Sequence, residues 1–388
     1  MTTLQAKFSA LESALNSELL ERRPEVRGAT LALAAGTHVF LLGPPGVGKS
    51  ALINRMAARI TDADTFEILM TRFTTPEEVF GPVSLHAMKQ DKMERNIEGY
   101  LAEAKLAFVD EIFKANSSIL NALLWAINER AYRHGTSIIK IPLSTMFCAS
   151  NELASDESLA ALYDRILFRF DVQPIRDQSN FVKMMKMSWD DQPEPILTWE
   201  DVLQVQTEVK AVIVPDRVVE ALADLRKDLA AEGITPTERR FRESRRIIQA
   251  AAWMDGEAEA DIDHIRPLQH VLWEEVDQRD KVDALVIKLA NPLDAEAAKL
   301  LEDVEGLEKQ LDSIAQDEDK NRKGTEIHGK LRRAKKQLDD IEKKAGKSKR
   351  RSETIRECRE RLQSITERVL VEVFNFNPDA AAEMDADI

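Results

Sequence analysis

His38-Val39-Phe40-Leu41-Leu42-Gly43-Pro44-Pro45-Gly46-Val47-Gly48-Lys49-Ser50 runs from an apolar strand into a glycine-rich turn closed by lysine and serine, and the helical pattern Ala51–Ile60 follows it. Every fixed position of G-x-x-x-x-G-K-[ST] is filled between Gly43 and Ser50, and a strand before with a helix after is the context that gives the pattern meaning. Glycines there let backbone N–H groups close around phosphate oxygens, and the helix N-terminus adds a favourable dipole. The stretch predicts the first strand–loop–helix unit of a parallel α/β sheet.

Lys49 is spaced to reach the β- and γ-phosphates of a nucleotide, and Ser50 offers a hydroxyl to Mg2+. The candidate nucleotide-binding set is Gly43, Pro44, Pro45, Gly46, Val47, Gly48, Lys49, Ser50 and Ala51, with ATP and Mg2+ as the expected ligands. Some sixty residues on, Leu106-Ala107-Phe108-Val109-Asp110-Glu111 is an apolar run ending in two carboxylates. The first suits a metal held through its water shell, and the second can orient or activate an attacking water. Ser50 and Asp110 are thus the candidate metal ligands and Glu111 the candidate catalytic carboxylate. A third apolar run, Phe147-Cys148-Ala149-Ser150, ends on Asn151, whose amide could position water or sense a γ-phosphate.

Outward from this centre, strands are expected over Thr37–Leu42, Phe66–Met70, Ala104–Val109 and Thr145–Ser150, within residues 1 to about 175. Residues of about 195–290 read as all-helical, with Val202, Val205, Val209 and Val212 at helical spacing and Pro215, Pro236 and Pro267 as helix starts. In the last hundred residues Leu300, Val304, Leu307, Leu311 and Ile314 step by four and three, and so do Ile327, Leu331, Ala334, Leu338 and Ile341. Ile355, Cys358, Leu362, Ile365 and Val369 form the third such row. These predict three heptad-patterned helices of about two heptads each, separated by polar breaks at Gln316–Gly324 and Glu342–Ser352 and packed on one another. An acidic tail, read as disordered, closes the chain.

Composition narrows the classes. The 388 residues are 44% hydrophobic and carry a formal net charge of -14, which disfavours non-specific binding to nucleic acid. No run of eighteen apolar residues occurs, and the N-terminus mixes Lys7, Glu12 and Glu18 into its helical pattern, so neither a membrane span nor a signal peptide is expected. Cys148 and Cys358 stand far apart without metal-ligand spacing, and a reducing cytoplasm is the expected setting.

The order of phosphate loop, Asp-Glu strand and Asn strand resembles an AAA+ ATPase. Leu69-Met70-Thr71-Arg72-Phe73-Thr74-Thr75-Pro76-Glu77-Glu78-Val79-Phe80-Gly81-Pro82 and Glu98-Gly99-Tyr100-Leu101 resemble the MoxR family, as do Asn121–Arg130 and Ala161-Leu162-Tyr163-Asp164-Arg165; the nearest subgroup is RavA-like. The resemblance covers residues 1 to about 290 and implies an α/β P-loop AAA+ core, a parallel sheet with flanking helices, followed by an all-α lid; beyond it, where no family motif is found, the heptad rows predict a C-terminal helical hairpin or coiled-coil-like domain. The expected boundaries are 1–190 for the core with an insert near 71–101, 191–290 for the lid, 291–375 for the heptad-patterned helices and 376–388 for the acidic tail.

The resemblance further implies a homo-oligomeric ring, usually a hexamer, with ATP at subunit interfaces. Arg165 then takes the arginine-finger position, reaching a neighbour's γ-phosphate, and Arg239 that of the second sensor, with Arg240 the alternative by one register. Arg242, Arg245 and Arg246 read as a solvated or ion-paired helix face, and His86 and Lys89 as exposed residues of the insert. The implied activity is ATP-driven remodelling or activation of a partner, with a von Willebrand factor A domain protein at its side. No aromatic-hydrophobic-Gly loop of the protein-threading kind is found; Phe113-Lys114-Ala115 does not substitute for it. Three other readings are weighed. The acidic balance speaks against a nucleic-acid motor, the run Leu69–Pro82 against a magnesium-chelatase-like metal inserter, and Asp110, Glu111 and Arg165 against a scaffold that binds ATP only to assemble.

Overall fold

The computed structural model describes residues 2–135, 137–153, 157–188, 193–313, 320–348 and 353–374, in two compact units, 1–283 and 284–388. Five strands form the central sheet of the first: β1 (Val39–Leu42), β2 (Thr65–Leu69), β3 (Leu106–Asp110), β4 (Thr145–Ser150) and β5 (Phe168–Asp171). All pairings are parallel and the spatial order is β2-β3-β4-β1-β5. β1 and β4 are buried along their whole length, as continuous apolar runs in a parallel sheet covered on both faces should be. β2, at one edge, alternates instead.

The order matters more than the strand count. β4 enters between β1 and β3, with Leu42 beside Ser150 and Val109 beside Cys148. The carboxyl ends of β1, β3 and β4 therefore finish next to one another, the place where open α/β sheets bind ligands. Helix Arg23–Ala35, which covers β1 and β5, ends on Gly36 in the left-handed region. Its Gly28 lies so close to the Phe170 ring that an added Cβ would stand 2.1 Å from it.

The helix expected over Ala51–Ile60 ends at Ala57, and Ile60–Thr61 instead pairs in parallel with Leu197–Thr198, a short strand in the stretch read as all-helical. Two further sheet elements were absent from the expectations above. β5 contains Arg169 at its centre, a charge that breaks the apolar reading of Ile166–Val172. The antiparallel hairpin Ala131–His134 with Ser137–Lys140 is short and half polar. Residues 71–101 hold two short helices, Pro76–Phe80 and Leu85–Met88, and a bridge between Val83 and Arg95.

Beyond the sheet come helices Trp199–Ala211, Asp216–Ala231 and Glu238–Met254 and a 3-10 segment, Ile262–His270. Val202, Val205, Val209 and Val212 are all buried, so the periodicity marked the packed face. Pro215 does precede its helix and Pro236 stands two residues before Glu238, but Pro267 lies inside the 3-10 segment, a correction to its reading as a start.

In the second unit, Pro292–Ser313, Lys320–Ser348 and Glu353–Arg368 are helices of 22, 29 and 16 residues, each packed on the other two. The first exceeds two heptads because it starts at Pro292, ahead of the row that opens at Leu300, and the second because Lys320–Gly324 and Glu342–Ser348 stay helical where polarity alone suggested breaks. The heptad positions from Leu300 to Val369 form one buried core. Ile314, the remaining break residues and the acidic tail lie outside the described residues. Among the described residues no helix is long and apolar enough to cross a membrane, and both cysteines are free and buried.

Candidate active site

β1 delivers the chain to Gly43, whose amide donates to the Ser150 carbonyl at 3.1 Å and whose backbone has no room for a side chain: a Cβ would meet the Val172 carbonyl oxygen at 2.4 Å. Gly46 and Gly48 adopt φ of 81° and 89°, which L side chains rarely tolerate, and nothing stands within 4 Å of where their Cβ atoms would be. The loop is thus an open cradle ending at the first turn of helix Lys49–Ala57. Lys49 is 9% exposed and folds back to donate to the carbonyls of Gly43 and, at 3.1 Å, Pro44. Burial lowers its pKa, opposed by the negative charges of Asp110 and Glu111. A half-stripped ammonium whose hydrogen-bond partners are main-chain carbonyls of the loop itself is suited to a phosphate.

β3 ends on Asp110, and Glu111 turns the chain in the left-handed region at φ 52°. Its amide donates to Asp110 Oδ1 at 2.9 Å. Glu111 Oε2 is buried; Lys114 Nζ stands 3.2 Å away, near enough to pair but angled so that no hydrogen bond forms. That leaves acceptor capacity for a water. Asn151 follows β4 directly, exposed at the same edge. Phosphate loop, carboxylate pair and amide are therefore gathered at adjoining strand ends. A divalent cation fits this set: one hydroxyl and one carboxylate, with substrate phosphates and water completing the shell, is how Mg2+ is usually held.

The arginines divide sharply. Arg165, last residue of helix Glu157–Arg165, donates to Asn128 Oδ1 at 2.6 Å and to the Ala161 carbonyl, while Asp171 pairs with Arg279 at 3.1 Å. Its pKa is lowered by burial and then by nearby Arg239. Arg239 is exposed, whereas Arg240 is fully buried and donates to the carbonyls of Tyr163, Asp164, Ile166, Leu167 and Val271. Arg240 has no donor left for a nucleotide, whereas the Arg239 side chain is open to solvent. Arg240→Met should cost about 3 kcal/mol or more by stranding these carbonyls, and Arg239→Met less than about 0.5 kcal/mol. Denaturant titration of the two variants checks the contrast, and equal losses would contradict it.

Arg242 and Arg246 lie 3.3 and 3.4 Å from Glu243 on the same helix. His86 and Lys89 are exposed, and Phe113 packs against Phe40 and Tyr163. Sequence reasoning passed over Arg22, which binds the Val47 carbonyl of the loop at 3.2 Å and the Gln173 carbonyl after β5. Neighbouring Glu21 accepts from the amides of Arg176 and Asp177 and from Asn180. Only the charged pair before Pro24 hinted at this brace.

Residues 6–210 match the family described as the MoxR domain in MoxR-vWA-beta-propeller ternary systems, and residues 217–286 match an AAA lid domain. An uncharacterised protein of Methanocaldococcus jannaschii is 40% identical over 337 residues, covering 85% of this chain and 90% of its own length. A second from that organism is 38% identical over 315 residues, covering 81% and 82%. A structural protein of Acidianus two-tailed virus is 28% identical over 212 residues, 51% of this chain and 34% of that protein. Among solved structures, one described as a candidate ATPase of Cytophaga hutchinsonii superposes with a TM-score of 0.60 at 17% identity, over 74% of this chain and 95% of that one, a likeness of fold.

Proposed function

Because the chain belongs to the MoxR family of AAA+ ATPases, we propose that it hydrolyses ATP in an oligomeric ring and uses the turnover to remodel or activate a partner. The observation that carries this reading is the gathering of Gly43–Ser50, Asp110, Glu111 and Asn151 at adjoining ends of β1, β3 and β4.

The loop amides and the Lys49 ammonium hold the β- and γ-phosphates once Lys49 leaves the Gly43 and Pro44 carbonyls. Ser50 and Asp110 hold Mg2+, which when bound neutralises phosphate charge. Glu111, through an Oε2 that accepts no hydrogen bond in the fold, orients the water and takes its proton as it attacks phosphorus and the bond to ADP breaks. Asn151 and Arg239 touch the γ-phosphate from within the subunit, and Arg165 reaches it from a neighbour. The ring is a hexamer in this reading, as usual in the family.

The run Leu69–Pro82 supports a RavA-like placement within the family. A von Willebrand factor A domain protein is the proposed partner, supported by the ternary systems for which the matching family is described. Two free, buried thiols suit action in a reducing cytoplasm.

The test is Lys49→Ala. Removing the ammonium should weaken binding of a fluorescent ATP analogue by roughly 100-fold, equivalent to losing one charge-assisted contact at a desolvated site. Unchanged affinity in a folded variant would overturn the phosphate-loop assignment.

A further inference from the structure

Two arginines, Arg169 and Arg240, are at most 1% exposed. Arg169 leaves the centre of β5, stacks 3.6 Å over the Tyr163 ring, and donates to the carbonyls of Tyr163 at 2.9 Å and of Trp273. Arg240 leaves helix Glu238–Met254 and donates to Asp164 at 3.0 Å, Ile166 at 3.2 Å and Leu167 at 2.6 Å as well as to Val271. Every one of these acceptors is a main-chain carbonyl.

Burying two guanidinium groups side by side is a poor way to gain stability; apolar side chains of the same volume would serve as well or better. A planar five-donor fork, however, fixes geometry. What it fixes is the end of helix Glu157–Arg165, whose last carbonyls have no partner within the helix, and the two residues beyond. A second tie runs beside it, from Thr237 Oγ1 to Asp164 Oδ1 at 2.7 Å. Thr237 and Arg240 thus bracket Arg239, and Asp164 and Ile166 bracket Arg165.

We propose that Arg240 is a positioning residue for the arginine finger: through it, the lid helix bearing Arg239 sets where Arg165 points toward the neighbouring subunit. The inference rests on the reading of Arg165 as a finger acting in trans. Occupancy of a subunit's own site, felt at Arg239, is then passed one residue along the chain to Arg240 and across to the segment that serves the next site.

The experiment is subunit mixing in the full-length ring. Arg240→Lys, which keeps a charge but loses the fork, should lower kcat by roughly 10-fold or more while ATP affinity stays within about 2-fold. Its own catalytic groups are intact and the fault lies in what it offers its neighbour. Adding Glu111→Gln subunits, inactive themselves but carrying a well-held Arg165, should raise turnover per Arg240→Lys subunit. Adding the double variant Glu111→Gln with Arg165→Ala should not. A defect that was merely structural would not be repaired by a neighbour.

Wild-type kcat in folded Arg240→Lys, or a loss that Glu111→Gln subunits leave untouched, would overturn the proposal. Should Arg240→Lys fail to fold, Asp164→Ala removes the Thr237 tie, together with the carboxylate charge that acts on Arg165, Arg169 and Arg240, and keeps the main-chain carbonyls that Arg240 binds; it should show the same rescue on a loss of about 3-fold, and no loss or no rescue overturns the proposal equally. Arg165→Ala mixed with Glu111→Gln is the reference. If that pair is not rescued, the trans-finger reading itself has failed; if it is rescued and the Arg240→Lys pair is not, only the positioning role has.

Discussion

Arg165→Ala is expected to reduce ATP turnover by roughly 10³–10⁵-fold, the range that an arginine stabilising transferred phosphoryl charge commands in nucleotide hydrolases. The loss should fall on kcat, with ATP binding nearly unchanged, because the partners of Arg165 in its own chain are Asn128 and the Ala161 carbonyl and not the phosphate loop. The partial burial that lowers its pKa is no obstacle, since a guanidinium stays charged at neutral pH. The decisive measurement is activity against mixing ratio with Glu111→Gln subunits. Each pure ring is inactive, but a mixed interface can pair an intact Glu111 with an intact Arg165, so activity should rise and fall with composition. A flat, inactive profile would remove the support for catalysis in trans.

Glu111→Gln should cost roughly 10²–10⁴-fold in turnover, the span attributed to a positioned general base, and leave the protein loaded with ATP. The amide is nearly isosteric, so the turn after β3 and its contact with Asp110 should persist. What vanishes is the charge on an oxygen that the fold buries without a hydrogen bond. Single-turnover kinetics with pre-bound ATP separates this from weakened binding; hydrolysis at the wild-type rate would dismiss Glu111 from the chemistry. The same variant, held in its ATP form, should retain the partner in affinity purification.

Much of the core was legible because its signals are local. Gly43–Ser50 declares itself through residue types at fixed spacing, and three of the four expected strands differ from those observed by two residues or fewer at each end, the fourth not at all. β5 stayed hidden because Arg169 is a buried charge, and only tertiary structure supplies the carbonyls and the Tyr163 ring that satisfy it. The helix Lys320–Ser348 ran past its expected ends because Lys, Arg and Glu are good helix formers, so a polar stretch need not be a break. Arg239 and Arg240 were inseparable by sequence for the plainest reason. Adjacent residues on a helix point about 100° apart, and which of them meets the core depends on contacts more than seventy residues away.

Glu111 sits with a positive φ that a glycine would hold without strain, at a cost for other residues on the order of 1–3 kcal/mol. If its carboxylate does the work proposed, two selective pressures meet at one backbone position and pull in opposite directions. Drift toward glycine or asparagine would make a sturdier protein and a dead one. Lineages in which the ring has become a pure assembly platform should then show their history here first, in a relaxed turn after β3, while the phosphate loop still reads as intact.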